Sequence, residues 1–485
     1  MSIINWEALV SHGNVAGRQA VLRMIEAGLR AADPYDNVRQ LVRIEGRRLV
    51  IGNPAYEPPG APRTGSETYD LDGGGRIWVF GAGKGVQRIV QALEDVLGDH
   101  LAGGHIIDKA GAPVVLRRVE VTLGAHPVPD EACVRGCRRI LALTKGLTER
   151  DLVFTVGSSG FSSLLTLPVP GVSLEEVQRT VYLMQIERGA PTGDLSPIRN
   201  HLDQLKGGQI AARLHPARAI HIMAKPPAPY DDLIYGNTWF HTFPDHSTFA
   251  DAVANLKKWD AWEAVPASVR AHLERADPRY ETVKPEQYLK LAHRIFCVMP
   301  GEQGDWVAPR RVSEALGYRA VLLARGLNHE ASQVGLTVAA IADTIERAGA
   351  PFEPPVALFT SGELLVPVGQ ATGIGGRNQE YALAGALQIA GSASIVIGAV
   401  DTDGTDGPGA QYVPGIGHIP TLAGGIVDGQ TLAEARAKGL DIRRALSEHN
   451  TTPLFLALDS GILATQNTGL QDLGVALIMG RRGHE

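Results

Sequence analysis

Three glycine-rich segments of this 485-residue chain carry charge in patterns that could do chemistry. The first is Gly81-Ala82-Gly83-Lys84-Gly85, between an apolar run at 77–80 and a helical pattern after it. A helix that starts after such a loop offers free amides and a partial positive charge, which suit a phosphate, and Lys84 adds a full charge. The second is Gly373-Ile374-Gly375-Gly376-Arg377-Asn378-Gln379-Glu380. Adjacent glycines let backbone approach a ligand, and Arg377 can grip a carboxylate or phosphate with two parallel bonds. The third is the acidic run Asp401-Thr402-Asp403-Gly404-Thr405-Asp406-Gly407-Pro408-Gly409, which could hold Mg²⁺ or form an Asx turn. Charge neutralisation, a metal and positioning are the parts that phosphoryl transfer needs.

Other motifs are incomplete. Val86 stands where a dinucleotide fingerprint would place its third glycine, and no Walker A loop is present. Ser158, Ser159, Ser162 and Ser163 surround Gly160 without forming a nucleophile elbow, so they read as hydroxyls and amides lining a phosphate or hydroxyl site. Lys206-Gly207-Gly208 follows a basic helix with Arg199 and His201.

Strands alternating with helices must position these loops. Apolar runs at 77–80, 119–123, 152–156 and 219–223 alternate with helical patterns, and a second series runs from 296 to 479. This predicts an α/β protein with mostly parallel, helix-covered sheets. The expected domains are 1–290, ending in a connecting segment at 225–290, and 291–485. A helix is predicted over 15–32, and a strand at 364–368 beside one at 356–360.

Composition sets limits. Net charge is −6 and aromatics are 6%, which argues against a nucleic-acid surface. Three cysteines rule out a disulfide scaffold, and Cys133 and Cys137 read as packing residues. With no membrane-length apolar run and no signal-peptide pattern at the start, a cytoplasmic protein is expected. Glycine is abundant, 56 residues against a usual ~7%.

The segments Gly375 to Glu380 and Thr402 to Pro408 resemble signatures of the MOFRL domain. The stretches Gly81-Ala82-Gly83-Lys84, His126-Pro127-Val128-Pro129-Asp130, Arg199-Asn200-His201-Leu202 and Leu205-Lys206-Gly207-Gly208 are similar to the domain that accompanies it in glycerate 2-kinases. The segments Pro244-Asp245 and Thr248-Phe249-Ala250-Asp251-Ala252 share that resemblance. It spans nearly the whole chain. It implies two α/β domains flanking a cleft, ATP with Mg²⁺, and transfer to the hydroxyl of a small hydroxy acid, by default the 2-hydroxyl of glycerate. It further implies that Lys84 and Arg377 are catalytic and face each other across the cleft. Gly81, Gly83, Ser158, Ser159, Gly160, Lys206, Gly207, Gly375, Gly376 and Asn378 are then the expected ATP contacts, and Asp403 and Asp406 the metal ligands. A homodimer is left open as the assembly.

Three loops depart from the family pattern. Ser158-Ser159-Gly160-Phe161-Ser162-Ser163 puts Phe161 where a glycine is usual, Trp239-Phe240-His241-Thr242 replaces Ser-Gly-Pro-Thr, and Asn467-Thr468-Gly469-Leu470-Gln471-Asp472 replaces Gly-Thr-Asn-Val-x-Asp. The alternatives are a kinase for a larger or more apolar acid, with Phe161, Trp239 and Phe240 lining its pocket, or a ligand-binding homologue without catalysis. Relatives labelled hydroxypyruvate reductases fit poorly with the missing dinucleotide fingerprint.

Overall fold

The computed structural model describes the chain except residues 1, 112, 127, 238–239, 300–305, 408–410, 414–416, 420, 466, 470 and 483–485, and the side chains of 186, 411–413 and 417–419. The expectations for Pro127, Trp239, Pro408, Gly409 and Leu470 therefore lie outside the described residues. Two compact units result, Pro34–Pro300, and Met1–Asp33 with Gly301–Glu485. The N-terminal helix α1 (Val15–Ala31) belongs to the second of these, so the expected 1–290 boundary gives way at both ends. Val21, Leu22, Ile25 and Leu29 form its apolar stripe and are fully buried, in a core with Val396, Leu473 and Val475. Sequence spacing shows that such a stripe must be covered, but not by what.

In the unit 34–300, strands β1 (Val42–Glu45), β2 (Arg48–Ile51) and β3 (Glu67–Asp70) form a small antiparallel sheet. The main sheet holds β4 (Ile77–Ala82), β5 (Leu101–Lys109), β6 (Glu120–Gly124), β7 (Leu152–Gly157), β8 (Arg218–Met223) and β9 (His293–Cys297). All pairings are parallel, in the order β6-β5-β4-β7-β8-β9. Every residue of β7 is buried, as in a strand covered on both faces. Helices α2 (Gln87–Leu97) and α3 (Glu131–Thr144) follow β4 and β6. Helices α4 (Thr192–His201) and α5 (Phe249–Lys258) pack together in a satellite core. The run near 296, expected to open the second domain, is instead the last strand of this sheet. The segment after β8 is a long crossover that returns to the edge.

In the other unit, helices α6 (Ala331–Ala348) and α7 (Arg377–Gln388) cover a six-stranded sheet. Its strands are β10 (Arg319–Leu327), β11 (Val356–Gly362), β12 (Ile395–Asp401), β15 (Gly424–Asp428), β16 (Gly461–Ile462) and β17 (Asp472–Ile478), with a separate two-stranded pair, β13 (Gln411–Val413) and β14 (Gly417–Ile419). The order is β10-β11-β17-β12-β15-β16. Only β10 and β11 pair in parallel, because β17 inserts antiparallel between β11 and β12. Both units are α/β, but mostly parallel pairing describes the first alone. The predicted strand at 364–368 does not form, and Leu365 makes a single bridge to Glu330. No described helix is long and apolar enough to cross a membrane.

One buried ion pair fixes α1 to its sheet. Arg18 Nε lies 2.6 Å from Asp428 Oδ2, both side chains fully buried, and Arg18 Nη1 donates to Leu9 O and Ser460 Oγ. Removing one partner of such a pair leaves the other charge uncompensated, at a cost of ~3–5 kcal/mol. Arg18→Met should lower the urea midpoint accordingly. An unchanged midpoint would show that the pair does not hold the helix.

Candidate active site

The strand order of the unit 34–300 reverses between β4 and β7, and in open α/β sheets ligands bind at the carboxyl ends of strands beside such a reversal. Lys84 and Ser158-Ser159-Gly160 follow those two strands. Their loops are tied together, since the Lys84 amide donates to Ser159 O at 2.8 Å and Ser158 Oγ to Lys84 O at 2.7 Å. Gly160 has φ 75°, and a Cβ there would come within 2.9 Å of His126 and 3.1 Å of Lys84 Cγ. Three loops thus meet at Lys84. The Ser159 hydroxyl is buried with no hydrogen-bond partner among the described residues, which suits a ligand contact.

The expected phosphate cradle at the start of α2 is not available. Asp108, at the end of β5, accepts from the Gly85 amide at 2.8 Å and the Gln87 amide at 3.4 Å. Its carboxyl is fully buried, and burial pushes its pKa up to about 6 against the opposing backbone hydrogen bonds. The protein's own anion therefore stands where a pyrophosphate would sit on a dinucleotide fold.

Lys206 also departs from its expected role. It is buried, and Nζ donates to Asp203 Oδ2 at 2.6 Å and Thr166 Oγ1 at 3.0 Å. The predicted glycines let chain approach chain. A Cβ would strike Val156 O at Gly81, Ser158 Oγ at Gly83, Thr282 at Gly207, Thr451 at Gly375 and the Asp406 carboxyl at Gly376. Each of these glycines thus has a packing reason to lack a side chain.

In the other unit, Arg377 opens α7. Nε donates to Asp472 Oδ1 at 2.7 Å and Nη2 to Asp401 Oδ2 at 2.9 Å. Nη1 lies 3.5 Å from exposed Glu363. Asp401 and Asp472 are direct partners across β12 and β17, so sheet register sets the clasp. Burial works against the charge on Arg377, but the two aspartates raise its pKa above the ordinary value. Burial raises the Asp472 pKa, with Arg377 and the Leu364 amide opposing.

Asp406 serves α7 as Asp108 serves α2. It accepts from the Asn378 amide at 3.1 Å and the Gln379 amide at 2.9 Å, and burial pushes it up to about 6. Asn378 Nδ2 reaches both Asp406 and Asp472. Asp403 Oδ1 accepts from the Thr405 amide and hydroxyl in an Asx turn. Asp401 Oδ1 accepts from the Asp403 amide. These oxygens are committed to amides, hydroxyls and Arg377. No described group of three or more His, Cys, Asp or Glu side chains is arranged to hold a metal. The acidic loop thus fits a helix cap and an arginine clasp better than a magnesium cage. These contacts give Asp403 and Asp406 a structural role and lend no support to their expected role as metal ligands.

Phe161 and Phe240 do not line a pocket. Both are 1% exposed and pack together at 6.0 Å between ring centroids. His241, 5.6 Å from Phe161, is also buried, and its Nε2 lies 2.7 Å from Ser162 Oγ. Burial, then the charges of Lys206 and Arg199, hold its pKa well below the ordinary value. Sequence reasoning missed Asp108 and Asp472 as site-forming residues, and read Asp401 as part of a metal-binding or turn-forming run rather than as a partner of Arg377. Each lies at or next to the end of a strand, and that position was the available signal.

Two family models match successive parts of the chain, the first of them reaching back into α1. Residues 20–274 match the family described as "Domain of unknown function (DUF4147)", and residues 356–471 match the MOFRL family. A glycerate 2-kinase of Pyrococcus horikoshii is 31% identical over 470 residues, 96% of this chain and 98% of its own. A protein of Agrobacterium vitis, 29% identical over 470 residues (96% of this chain and 95% of its own), carries the provisional name hydroxypyruvate reductase. The crystal structure of the glycerate kinase of Thermotoga maritima superposes with a TM-score of 0.67 at 27% identity, covering 95% of this chain and 99% of that one.

The cap by Asp406 has a pH signature. Its folded pKa of about 6 exceeds an unfolded value near ~3.9, so its stabilising contribution is full below the lower value and is lost as pH rises through the upper one. Asp406→Asn lacks this loss. Between pH 4.5 and 7 the variant should gain about 2 kcal/mol relative to wild type in urea unfolding. Parallel pH profiles would contradict the assignment.

Proposed function

Because the chain belongs to the glycerate 2-kinase family, with its DUF4147 and MOFRL parts in order, we propose that it is an ATP-dependent phosphotransferase acting on the hydroxyl of a small hydroxy acid, by default the 2-hydroxyl of glycerate. The observation that carries this reading is the similarity to a glycerate 2-kinase along nearly the full length of both chains. In the reaction, the bond between the γ-phosphorus and the bridging oxygen of ATP breaks. A bond from the acceptor oxygen to that phosphorus forms, the hydroxyl proton is lost, and ADP leaves.

Catalysis of this kind is mainly positioning and charge stabilisation. We assign Lys84 and Arg377 to the negative charge of the transferred group, and the Ser159 hydroxyl to a ligand contact. Asp401 and Asp472 keep Arg377 charged and oriented. Magnesium ordinarily travels on nucleotide phosphates with few protein ligands. The described carboxylates offer it no cage, so no step is assigned to it. The reductase reading conflicts with Asp108, which occupies the helix terminus that a dinucleotide pyrophosphate would use. The burial of Phe161 and Phe240 takes two of the three aromatics away from the reading of an enlarged apolar acceptor pocket. An ATP-using enzyme with three free, buried cysteines fits the cytoplasm.

Lys84→Ala should lower ADP release with D-glycerate by ~10²–10³-fold, with an unchanged melting temperature. Arg377→Lys, which keeps a charge for Asp401 and Asp472, should lose the parallel donors and fall at least ~10-fold. Full turnover in both variants would overturn the assignment.

A further inference from the structure

A kinase of hydroxy acids must hold two anions, the nucleotide phosphates and the acceptor carboxylate. The proposed reading assigns cations only to the first. Within the unit 34–300 a separate group of residues has the chemistry for the second.

Arg199 lies in the last turn of α4 and is half-buried. Its guanidinium donates to a neutral group, Gln185 Oε1, at 2.9 Å from Nη2. Among the described residues, no carboxylate lies within salt-bridge distance of it. Burial lowers its pKa to about 10, with no acid to oppose the shift. A cation taken partly out of water without a counter-charge is costly unless an anion arrives. The helix C-terminus offsets part of this cost, but it offers no oxygen pair matching the guanidinium.

The turn after α4 ties the segment of Arg199 to the loop that carries Ser162: a Cβ at Gly207 would lie 3.4 Å from Cβ of Asn200, the residue after Arg199, the Gly208 amide donates to His241 O at 3.0 Å, and His241 Nε2 lies 2.7 Å from Ser162 Oγ. Ser162 is in turn two residues from Gly160, which packs on Lys84. Ser159, Gly160, Ser162, Ser163 and Arg199 are all partly exposed, whereas His241 behind them is buried. A neutral imidazole fixes the Ser162 hydroxyl without bringing a second charge. His241 stands in one of the loops that depart from the family pattern, so this hydrogen bond belongs to this chain's own sequence.

We infer that Arg199, with the Ser162 hydroxyl oriented by His241, forms the subsite for the carboxylate of the acceptor. This rests on the kinase reading for its place in the reaction, but carboxylate binding is measurable without turnover. Arg199 and Ser162 bind the acceptor, and His241 is a positioning residue.

The test is calorimetric titration of the full chain, without ATP, with D-glycerate, L-lactate and the neutral analogue glyceramide. Wild type should bind D-glycerate at least ~50-fold more tightly than glyceramide. Arg199→Gln should weaken D-glycerate roughly 100-fold, the scale of a charge-assisted pair, and leave glyceramide and ATP binding unchanged. Arg199→Lys should recover part of the loss. Ser162→Ala should weaken D-glycerate several-fold. His241→Asn should retain more affinity than His241→Leu. In turnover, Arg199→Gln should raise the KM for glycerate with kcat within a few-fold of wild type.

Equal weakening of glycerate and glyceramide, or no weakening, would overturn the subsite. If wild type phosphorylates glycerate and Arg199→Gln leaves its KM unchanged, the subsite falls and the kinase reading stands. If carboxylates bind through Arg199 but ATP is never consumed, the subsite stands and the kinase reading falls. If wild type binds neither glycerate nor lactate, the subsite is wrong whatever the reaction.

Discussion

A buried carboxylate at the N-terminus of a helix is the constraint on which each half of this chemistry depends. Asp108 accepts the first amides of α2 and Asp406 those of α7, and each helix starts beside a charged residue of the candidate site. The first amides of a helix need acceptors, and the helix dipole favours an anion there. A kinase could leave that place for a phosphate. Here the protein fills it, so the cap holds the loop in shape whether or not a ligand is bound. Charge for the ligand must then come from side chains. Both caps are costly groups to bury, and each has its pKa pushed up to about 6. Their amide hydrogen bonds oppose that shift in both cases.

The same logic explains Arg377. An arginine on a flexible loop would lose conformational freedom when it gripped a phosphoryl group. Here two aspartates, paired across adjacent antiparallel strands, fix the guanidinium beforehand. The antiparallel insertion of β17 is therefore functional as well as architectural. It brings the start of one strand beside the end of another, so that Asp472 and Asp401 share one cation. In a wholly parallel sheet the start of one strand and the end of its neighbour lie at opposite edges.

How much of this was legible in the sequence depends on range. The stripe of Val21, Leu22, Ile25 and Leu29 is a local pattern and gave α1 to within a residue at its C-terminal end. Its covering sheet is built from residues beyond 318, and no local pattern carries that information. The strand β9 was visible as an apolar run, but a long helical excursion before it looked like a domain boundary. Parallel and antiparallel central strands have the same burial pattern, so the direction of β17 was hidden. Lys84 and Arg377 could be singled out from their glycine neighbours. The close approach of chain to chain at the glycines was not legible, because a residue that admits a ligand and one that admits another loop look alike in sequence. Lys206 likewise carried no sign that Asp203, three residues away, would take its charge into the core.

The loops that depart from the family pattern change less than their composition suggests. Placing Phe161 where a glycine is usual ought to block a ligand, were its ring to face outward. It faces inward, against Phe240, and a Cβ at Gly157 would lie 3.2 Å from the Phe240 ring. The bulk is thus absorbed behind the loop, and glycine is needed one strand end away to make room for it. What reaches the ligand side from this exchange is polar. His241 comes with the aromatic loop and takes hold of Ser162. Substitutions that fill an interior can therefore alter the orientation of one surface hydroxyl while leaving the space in front of it open.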